Sequence, residues 1–390
     1  MGIKMRLETQ TMHLTHPWEP EYQSNSQLLI LGTFPSPKSR QMGFYYGHPQ
    51  NIFWQTLANS LGVPAPPAQT DARKSFVRQH KIALWDVFQK VTITGAADSS
   101  IQQAIPNTFA PIIISSQISA VFTTGQTATN AFNQQCASQV GMRAIYLPST
   151  SPANRRTQAT PQFTQRWALI GKVLKGQLVS GKKIKELDQK TINDKGVPSL
   201  VLMEHAAQGV VQALKQGVLA TKPAQHVNVL CVCGAGNNGG DGFAVARILC
   251  SQGIPAEVLF MGDASKMTPE TKQQDSLARH CGVVIHHNDL TVIQNANIIV
   301  DALFGVGLIR PLSGIYLKAV HAMCKAHAAG AYIVAADIPS GISPDTGEAL
   351  GGAVTANQTV TFAYPKIGLT IGQGQTCTGK LTTVDIGITM

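Results

Sequence analysis

The feature that most restricts this chain is a strand that runs into a glycine-rich turn and then a helix. Residues 227–233 form an apolar, β-branched run, residues 234–242 read GAGNNGGDG, and a helical stretch follows over 243–252. This order suits a phosphate-binding turn. Glycine lets the backbone approach a phosphate, and the helix N-terminus offers free N–H groups. Gly234, Gly236 and Gly239 match a GxGxxG pattern, but no Lys-Ser/Thr pair follows, which excludes a P-loop. Further strands are predicted at 256–261, 283–285, 297–300, 332–336, 359–362 and 381–384, with helical stretches between several of them, notably 315–328. Such alternation predicts an α/β fold: a mostly parallel, doubly wound, Rossmann-like sheet in a three-layer α/β/α sandwich. Ligands of such sheets lie beyond the carboxyl ends of the strands.

Two other strand ends carry matching chemistry. The strand at 297–300 runs into Asp301, and that at 332–336 runs into Asp337 and Ser340. By the strand-end rule Asn238, Asp301, Asp337 and Ser340 share one crevice. Their amide, carboxylate and hydroxyl oxygens suit a hard cation. A single Asp at a strand end more often caps the next helix; three such ends in glycine-rich company point to a site. Asp263, near the end of the second strand, would be the ribose-binding acid of an ordinary dehydrogenase. The adjacent Asn237 and Asn238 argue against that, because a redox fingerprint needs no paired carboxamides there.

The chain of 390 residues favours two or three domains. Phe163, Trp167, Ile170 and Leu174 recur at helical spacing and close a first domain, 1–175. Residues 176–181, GQLVSG, read as a linker, and Ile184, Leu187 and Ile192 open a second domain, 182–390. Charge divides at the same place. Residues 1–175 hold 15 Lys/Arg against 6 Asp/Glu, a net +9, whereas 176–390 hold 16 against 15. That asymmetry suggests a polyanion partner for the first domain alone. No apolar run is long enough to span a membrane, and residues 1–21 are polar and broken by Pro17 and Pro20, unlike a secretory leader. The 7 Cys form no C-x-x-C pair, so buried thiols in a reducing, cytoplasmic setting are expected.

The first domain begins with a strand, 28–31, and residues 32–37, GTFPSP. It continues with residues 43–54, GFYYGHPQNIFW, and ends near residues 145–147 followed by PSTSPANRR, 148–156. Aromatic rings can stack a base, Asn can read its edge and Arg can hold phosphate. Phe53 and Trp54 read as core, Tyr45 and Tyr46 as a pocket wall.

The second domain resembles the NAD(P)H-hydrate epimerase family. The resemblance is carried by residues 237–242 (NNGGDG), 301–305 (DALFG), 307–314 (GLIRPLSG) and 337–341 (DIPSG), and also by 186–191 (ELDQKT) and 198–204 (PSLVLME). It covers about two hundred residues in order. It implies interconversion of the R and S forms of hydrated NADH and NADPH (NADHX and NADPHX). It also implies that Asn237, Asn238, Gly239, Gly240, Asp241, Gly305, Val306, Gly307, Leu308, Ile309, Arg310, Pro311 and Asp337 hold that substrate. Potassium would be ligated by Asn238, Asp301 and Ser340. One departure is residues 205–207, HAA, where the family reads Asn-Ala-Gly. The chemistry needs a positioned acid or base, for which Asp337, the expected catalytic residue, and Asp241 are the available carboxylates. The family often carries an ATP- or ADP-dependent dehydratase after the epimerase. The chain ends at Met390 without one, so that activity is expected on a separate protein. A homodimer is left open.

Residues 25–175 resemble the uracil-DNA glycosylase superfamily, closest to its hypoxanthine-DNA glycosylase branch. This implies an α/β/α domain that flips a damaged base from DNA and hydrolyses its glycosidic bond. Tyr46 would stack on the base. Residues 148–154 would enter the minor groove, with Ser149, Asn154 and Arg155 among the DNA contacts. The mismatch-type enzymes carry a catalytic Asn where this chain has Phe34, and the best-known uracil enzymes a His where it has Leu147. Asn51 is the expected substitute, as catalytic residue and base contact, with hypoxanthine the expected base and uracil second. Two other readings fit parts of the chain: an NAD(P)-dependent oxidoreductase, and a non-catalytic nucleic-acid-binding scaffold. Retention of Asp301 and Asp337 argues against the scaffold.

Overall fold

The computed structural model describes residues 11–95, 98–221 and 227–390. The polar opening expected over 1–21 lies partly outside them. The chain divides into two compact units, 1–176 and 177–390. No helix among the described residues is long and apolar enough to cross a membrane.

The first unit is built on four parallel strands. They are β2 (Leu28–Gly32), β3 (Ile82–Asp86), β6 (Ala120–Thr124) and β7 (Ala144–Leu147), in the order β3-β2-β6-β7. Leu28 to Leu31 are fully buried, as are Ile82, Leu84, Val121 and Phe122. A strand covered on both faces needs such continuous apolar runs. Phe53 and Leu57 of helix Phe53–Leu61 and Trp167 and Ile170 of helix Pro161–Leu174 complete this core. A second, antiparallel sheet of β1 (Thr11–Thr15), β4 (Phe88–Thr94) and β5 (Gln102–Pro106), in the order β1-β4-β5, was not expected from the sequence.

The second unit is a seven-stranded parallel sheet, as the alternation predicts. Its strands are β8 (Val229–Cys233), β9 (Ala256–Phe260), β10 (Ile285–His287), β11 (Ile298–Ala302), β12 (Tyr332–Ala336), β13 (Gln358–Phe362) and β14 (Lys380–Val384). The order is β10-β9-β8-β11-β12-β13-β14, so the winding reverses between β8 and β11. There the connections diverge to opposite faces and leave a crevice at the carboxyl edge. Val229, Cys231 and Cys233 pack on one face with Phe243 and Val210, while Leu230 and Val232 pack on the other with Val320 and Met323. That is the three-layer arrangement.

Three sequence expectations change. Helix Asn237–Ser251 begins inside the glycine-rich segment, so residues 237–242 are its first turns and not a free turn. The stretch 176–181 is not a free linker. Leu178, Val179 and Ser180 are buried, Val179 pairs with Lys366 as an isolated bridge, and Gly181 already opens helix Gly181–Asn193. The thiols are all free but not all buried, since Cys281 is exposed.

Candidate functional site

The crevice of the second unit holds a cavity of about 470 Å³. Its floor is the carboxyl edge of β8, β11 and β12. Asn237, Asn238 and Asp241 reach it from the helix Asn237–Ser251, Gly305, Val306, Gly307 and Leu308 from the loop after β11, and Asp337 from the end of β12. Gly239 and Gly240 lie beneath it. A side chain on Gly239 would begin 1.8 Å from the Gly234 carbonyl oxygen, and one on Gly240 would meet Met203 and Thr271. These glycines therefore let the helix start directly on the strand. Ile309, Arg310 and Pro311 are exposed and do not line the cavity.

Asp337 is held in the left-handed backbone region, φ 66°, which an aspartate adopts at a cost. Its Oδ1 accepts from Lys366 Nζ at 2.5 Å, from Phe362 N at 3.2 Å and from Thr361 Oγ1 at 3.2 Å. Lys366 also donates to Thr361 Oγ1 and to the Phe362 carbonyl, both at 3.0 Å, so all three of its protons are used. Two further carboxyls line the same cavity. Burial pushes Asp241 well above the usual carboxylate range, Asp337 and Asp188 adding to the rise and Lys366 opposing it. Burial, then Asp337, pushes Asp188 up to about 6, again against Lys366.

Beneath the cavity Asp301 and Ser340 are fully buried. Ser340 N and Oγ donate to the two Asp301 oxygens at 2.7 and 2.6 Å, and Phe304 N donates to Ser340 Oγ at 2.9 Å. Burial raises the Asp301 carboxyl to about 6 in spite of these bonds. Asn238 stands against Gly305, its Oδ1 being 3.2 Å from where a Cβ there would lie, and its buried Nδ2 has no partner among the described residues. Turning that amide over presents an oxygen in the unpaired position, which a cation would satisfy. No group of three or more His, Cys, Asp or Glu among the described residues is arranged to hold a metal. A mixed set of amide, carboxylate and hydroxyl oxygens with one formal charge fits a monovalent ion.

In the first unit the two loops expected to form a pocket share the carboxyl edge of its parallel sheet. Tyr46 has φ 49°, stacks on Phe53 with ring centroids 3.7 Å apart and planes 3° apart, and bonds Thr124 at the end of β6 at 3.0 Å. Ile52 N donates to the Thr150 carbonyl at 3.3 Å, joining the aromatic segment to residues 148–156. Ser149 is half-buried, whereas Asn154 and Arg155 are exposed. Asn51 is half-buried, and its Oδ1 accepts from Phe53 N at 3.0 Å, the first N–H of the helix Phe53–Leu61. Tyr45 is core and not a pocket wall, since it is 2% exposed and donates to the Glu19 carbonyl. Phe34 and Leu147, the two departures, are both buried.

The comparisons with known proteins fall on the same division. An NAD(P)H-hydrate epimerase of Limosilactobacillus reuteri is 40% identical over 205 residues, which is 53% of this chain and 93% of that protein. The chain belongs to the NAD(P)H-hydrate epimerase family. Epimerases of Weissella koreensis (40% identity; 54% of this chain and 91% of that protein) and Levilactobacillus brevis (42%; 52% and 89%) are similarly related. Residues 199–368 match the family described as YjeF-related protein N-terminus, and residues 19–170 match the uracil DNA glycosylase superfamily. Among solved structures, the yeast protein YNL200c has a TM-score of 0.47 at 27% identity, covering 53% of this chain and 86% of that one. A candidate uracil DNA glycosylase of Methanosarcina acetivorans has a TM-score of 0.37 at 25% identity, covering 42% and 99%.

Within the epimerase-family unit, sequence reasoning missed Lys366, Asp188 and the apolar lining from Ile184, Met203, Ile386 and Ile388. Lys366 follows a strand with no motif around it, and only the fold brings it to Asp337. Asp188 sits in the stretch 186–191 that carried part of the resemblance, at helical spacing from Ile184 and Ile192. The departure at His205 has a structural partner, its ring nitrogen lying 3.2 Å from the Ile386 carbonyl. In the first unit a buried pair was missed. His16 Nε2 lies 2.8 Å from Asp86 Oδ2, and the other Asp86 oxygen would be 2.2 Å from a Cβ on Gly32.

Proposed function

We propose that residues 177–390 interconvert the R and S epimers of NADHX and NADPHX. The observation that carries this reading is the alignment of that unit with nearly the whole length of curated epimerases at 40% identity. It is supported by a cavity of dinucleotide-compatible chemistry at the point where the sheet winding reverses. The helix N-terminus at Asn237 favours the substrate's phosphates. Gly305, Val306, Gly307 and Leu308 offer backbone beside it. Ile309, Arg310 and Pro311 would join only through movement of their exposed loop. Asp337, fixed by Lys366, would act at the hydrated nicotinamide ring. Asn238, Asp301 and Ser340 would hold a potassium ion, whose charge offsets that of a bound anion.

The test is chromatography of a single NADHX epimer incubated with purified protein. Appearance of the other epimer faster than without protein is expected; equal rates would remove the reading. A separate ATP- or ADP-dependent dehydratase would consume the product, and a cytoplasmic setting suits the substrate.

For residues 1–176 we propose excision of deaminated bases from DNA, hypoxanthine before uracil. The match to the uracil DNA glycosylase superfamily over 19–170 supports hydrolysis of an N-glycosidic bond, and the net charge of +9 over 1–175 supports a polyanionic substrate. Phe34 in place of a catalytic Asn argues against strict uracil excision and leaves Asn51, five residues after Tyr46 in the same segment, as the candidate catalytic group. Release of hypoxanthine from an inosine-containing oligonucleotide, scored as an alkali-labile site, tests this. Binding without release would make the unit a DNA-binding module.

A further inference from the structure

Helix Gly181–Asn193 gives the epimerase-family cavity two isoleucines, Ile184 and Ile192, and two charged residues, Lys185 and Asp188. Ile184, Asp188 and Ile192 are spaced four residues apart, share one face of that helix and all line the cavity. Asp188 is half-buried and makes no hydrogen bond among the described residues. An unpaired carboxyl between two isoleucines weakens a fold, so its placement asks for another reason. The helix that carries it is anchored at its start. Ser180 Oγ accepts from Lys183 N at 3.0 Å, Gly181 N donates to Asp345 Oδ1 at 2.8 Å, and Val179 pairs beside Lys366. The charged groups close to Asp188 are Asp241, Asp337 and Lys366, with Lys185 on its own helix also lining the cavity. Asp337 and Asp188 therefore come to one space from different elements, one from the sheet edge and one from the helix above it.

We propose that Asp188 is a catalytic residue of this site, serving with Asp337 as a pair of carboxyl groups on opposite faces of the hydroxyl-bearing ring carbon. The inference rests on the epimerase reading of the unit. Inversion at that carbon needs the hydroxyl to leave one face and return to the other. Asp188 gives its proton to the hydroxyl, the C–O bond breaks with its electron pair on the departing water, and the ring nitrogen's lone pair forms a C=N bond. A water then adds from the other face. Its oxygen forms the new C–O bond, the C=N pair returns to nitrogen, and the surplus proton passes to the Asp337 carboxylate. One water leaves and one enters, and the reverse reaction or solvent returns the proton. Three donors, from Lys366, Thr361 and Phe362, already face Asp337 Oδ1, whereas Asp188 has no donor on it, so Asp188 takes the donor role and Asp337 the acceptor role.

The experiment uses the full chain and a single NADHX epimer in ¹⁸O-labelled water. The wild-type protein must interconvert the epimers; failure there overturns the epimerase reading and this assignment with it, whereas turnover that survives loss of the Asp188 carboxyl overturns the assignment alone. With wild-type turnover in hand, Asp188→Asn is expected to lower kcat by ~10²–10⁴-fold with KM changed by less than about threefold. The product epimer should carry solvent oxygen. Gln189→Ala, exposed on the same helix, should turn over as wild type. A kcat for Asp188→Asn within about threefold of wild type, or product without solvent oxygen, overturns the proposal. Should circular dichroism show that Asp188→Asn is unfolded, the wild-type kcat–pH profile decides. A fall as pH rises above about 6 is expected, because the donor must be protonated, and a flat profile overturns the assignment.

Discussion

Lys366 Nζ lies 2.5 Å from Asp337 Oδ1, and the two side chains are only 1% and 10% exposed. Neither charge has water to fall back on, so each exists in this place because of the other. The pair stands at the carboxyl end of β12, with Asp337 in a strained backbone conformation, and it ties the chemistry of the cavity to the stability of the second unit.

Asp337→Ala is accordingly expected to do two things. Epimer interconversion should fall ~10²-fold or more, because a group acting at the reacting carbon is gone. Stability should also fall by about 3–5 kcal/mol, because the Lys366 ammonium is left buried without its partner. Adding Lys366→Met should restore most of the stability and none of the activity. Urea unfolding and the epimer assay measure the two effects separately; an unchanged rate in Asp337→Ala removes it from the mechanism.

Potassium is expected to raise thermal stability relative to tetramethylammonium, which is too bulky for a pocket between Asn238, Asp301 and Ser340. At about 100 times its dissociation constant an ion contributes about 2.7 kcal/mol. Ser340→Ala should abolish the difference between the two salts. Equal melting temperatures of the wild-type protein in both would count against the ion site.

Enclosure pushes the Asp345 carboxyl from its ordinary 3.8 up to about 6, although Gly181 N donates to it. A carboxyl whose folded value is raised keeps its full contribution to stability below the unfolded value and loses it as pH rises through the folded one. Between pH about 4 and about 6 this group therefore lowers stability as pH increases. Asp345→Asn should flatten that part of the profile, read as the urea midpoint across the range. A wild-type slope retained in full by the variant would contradict the assignment.

The full chain is expected to bind DNA with a log K against log salt slope of about −0.9 for each phosphate neutralised. Asn51→Ala should lose hypoxanthine excision while most DNA affinity remains, because phosphate contacts dominate binding. It should also cost about 1 kcal/mol of stability, since the hydrogen bond from Phe53 N to the Asn51 side chain is lost. Wild-type excision by the variant would move the catalytic assignment elsewhere, and the buried His16–Asp86 pair next to Gly32 is where to look next.

The central strands of the second unit were legible because parallel strands buried on both faces leave apolar runs such as residues 229–233 and 332–336. The end of β12 was legible too, since Asp337 follows its run directly, whereas Asp301 lies within β11 one residue before its end. The antiparallel sheet of the first unit was not. In β5, QQAIP, the burial pattern is mostly exposed and the Gln pair gives no strand period. Asn237 to Gly242 read as a turn because glycine and asparagine disfavour helix interiors, yet packing against Gly234 and Met203 overrides that preference. Lys366 and Asp188 stayed hidden because a pairing across 29 residues, or across a helix and a sheet edge, leaves no local period to read.

The bridge between Val179 and Lys366 has a consequence for gene architecture. A fusion or truncation junction is tolerated where few contacts cross it. Val179 N donates to the Pro365 carbonyl and Ile367 N donates back to the Val179 carbonyl, so the backbone on both sides of Lys366 is clamped by the stretch just before Gly181. A junction at Gly176 leaves that clamp whole. One placed six residues later, where the sequence suggests a domain should start, severs it and loosens Lys366 at a distance. Recombination between these two units is thereby confined to a narrower window than their compositions suggest.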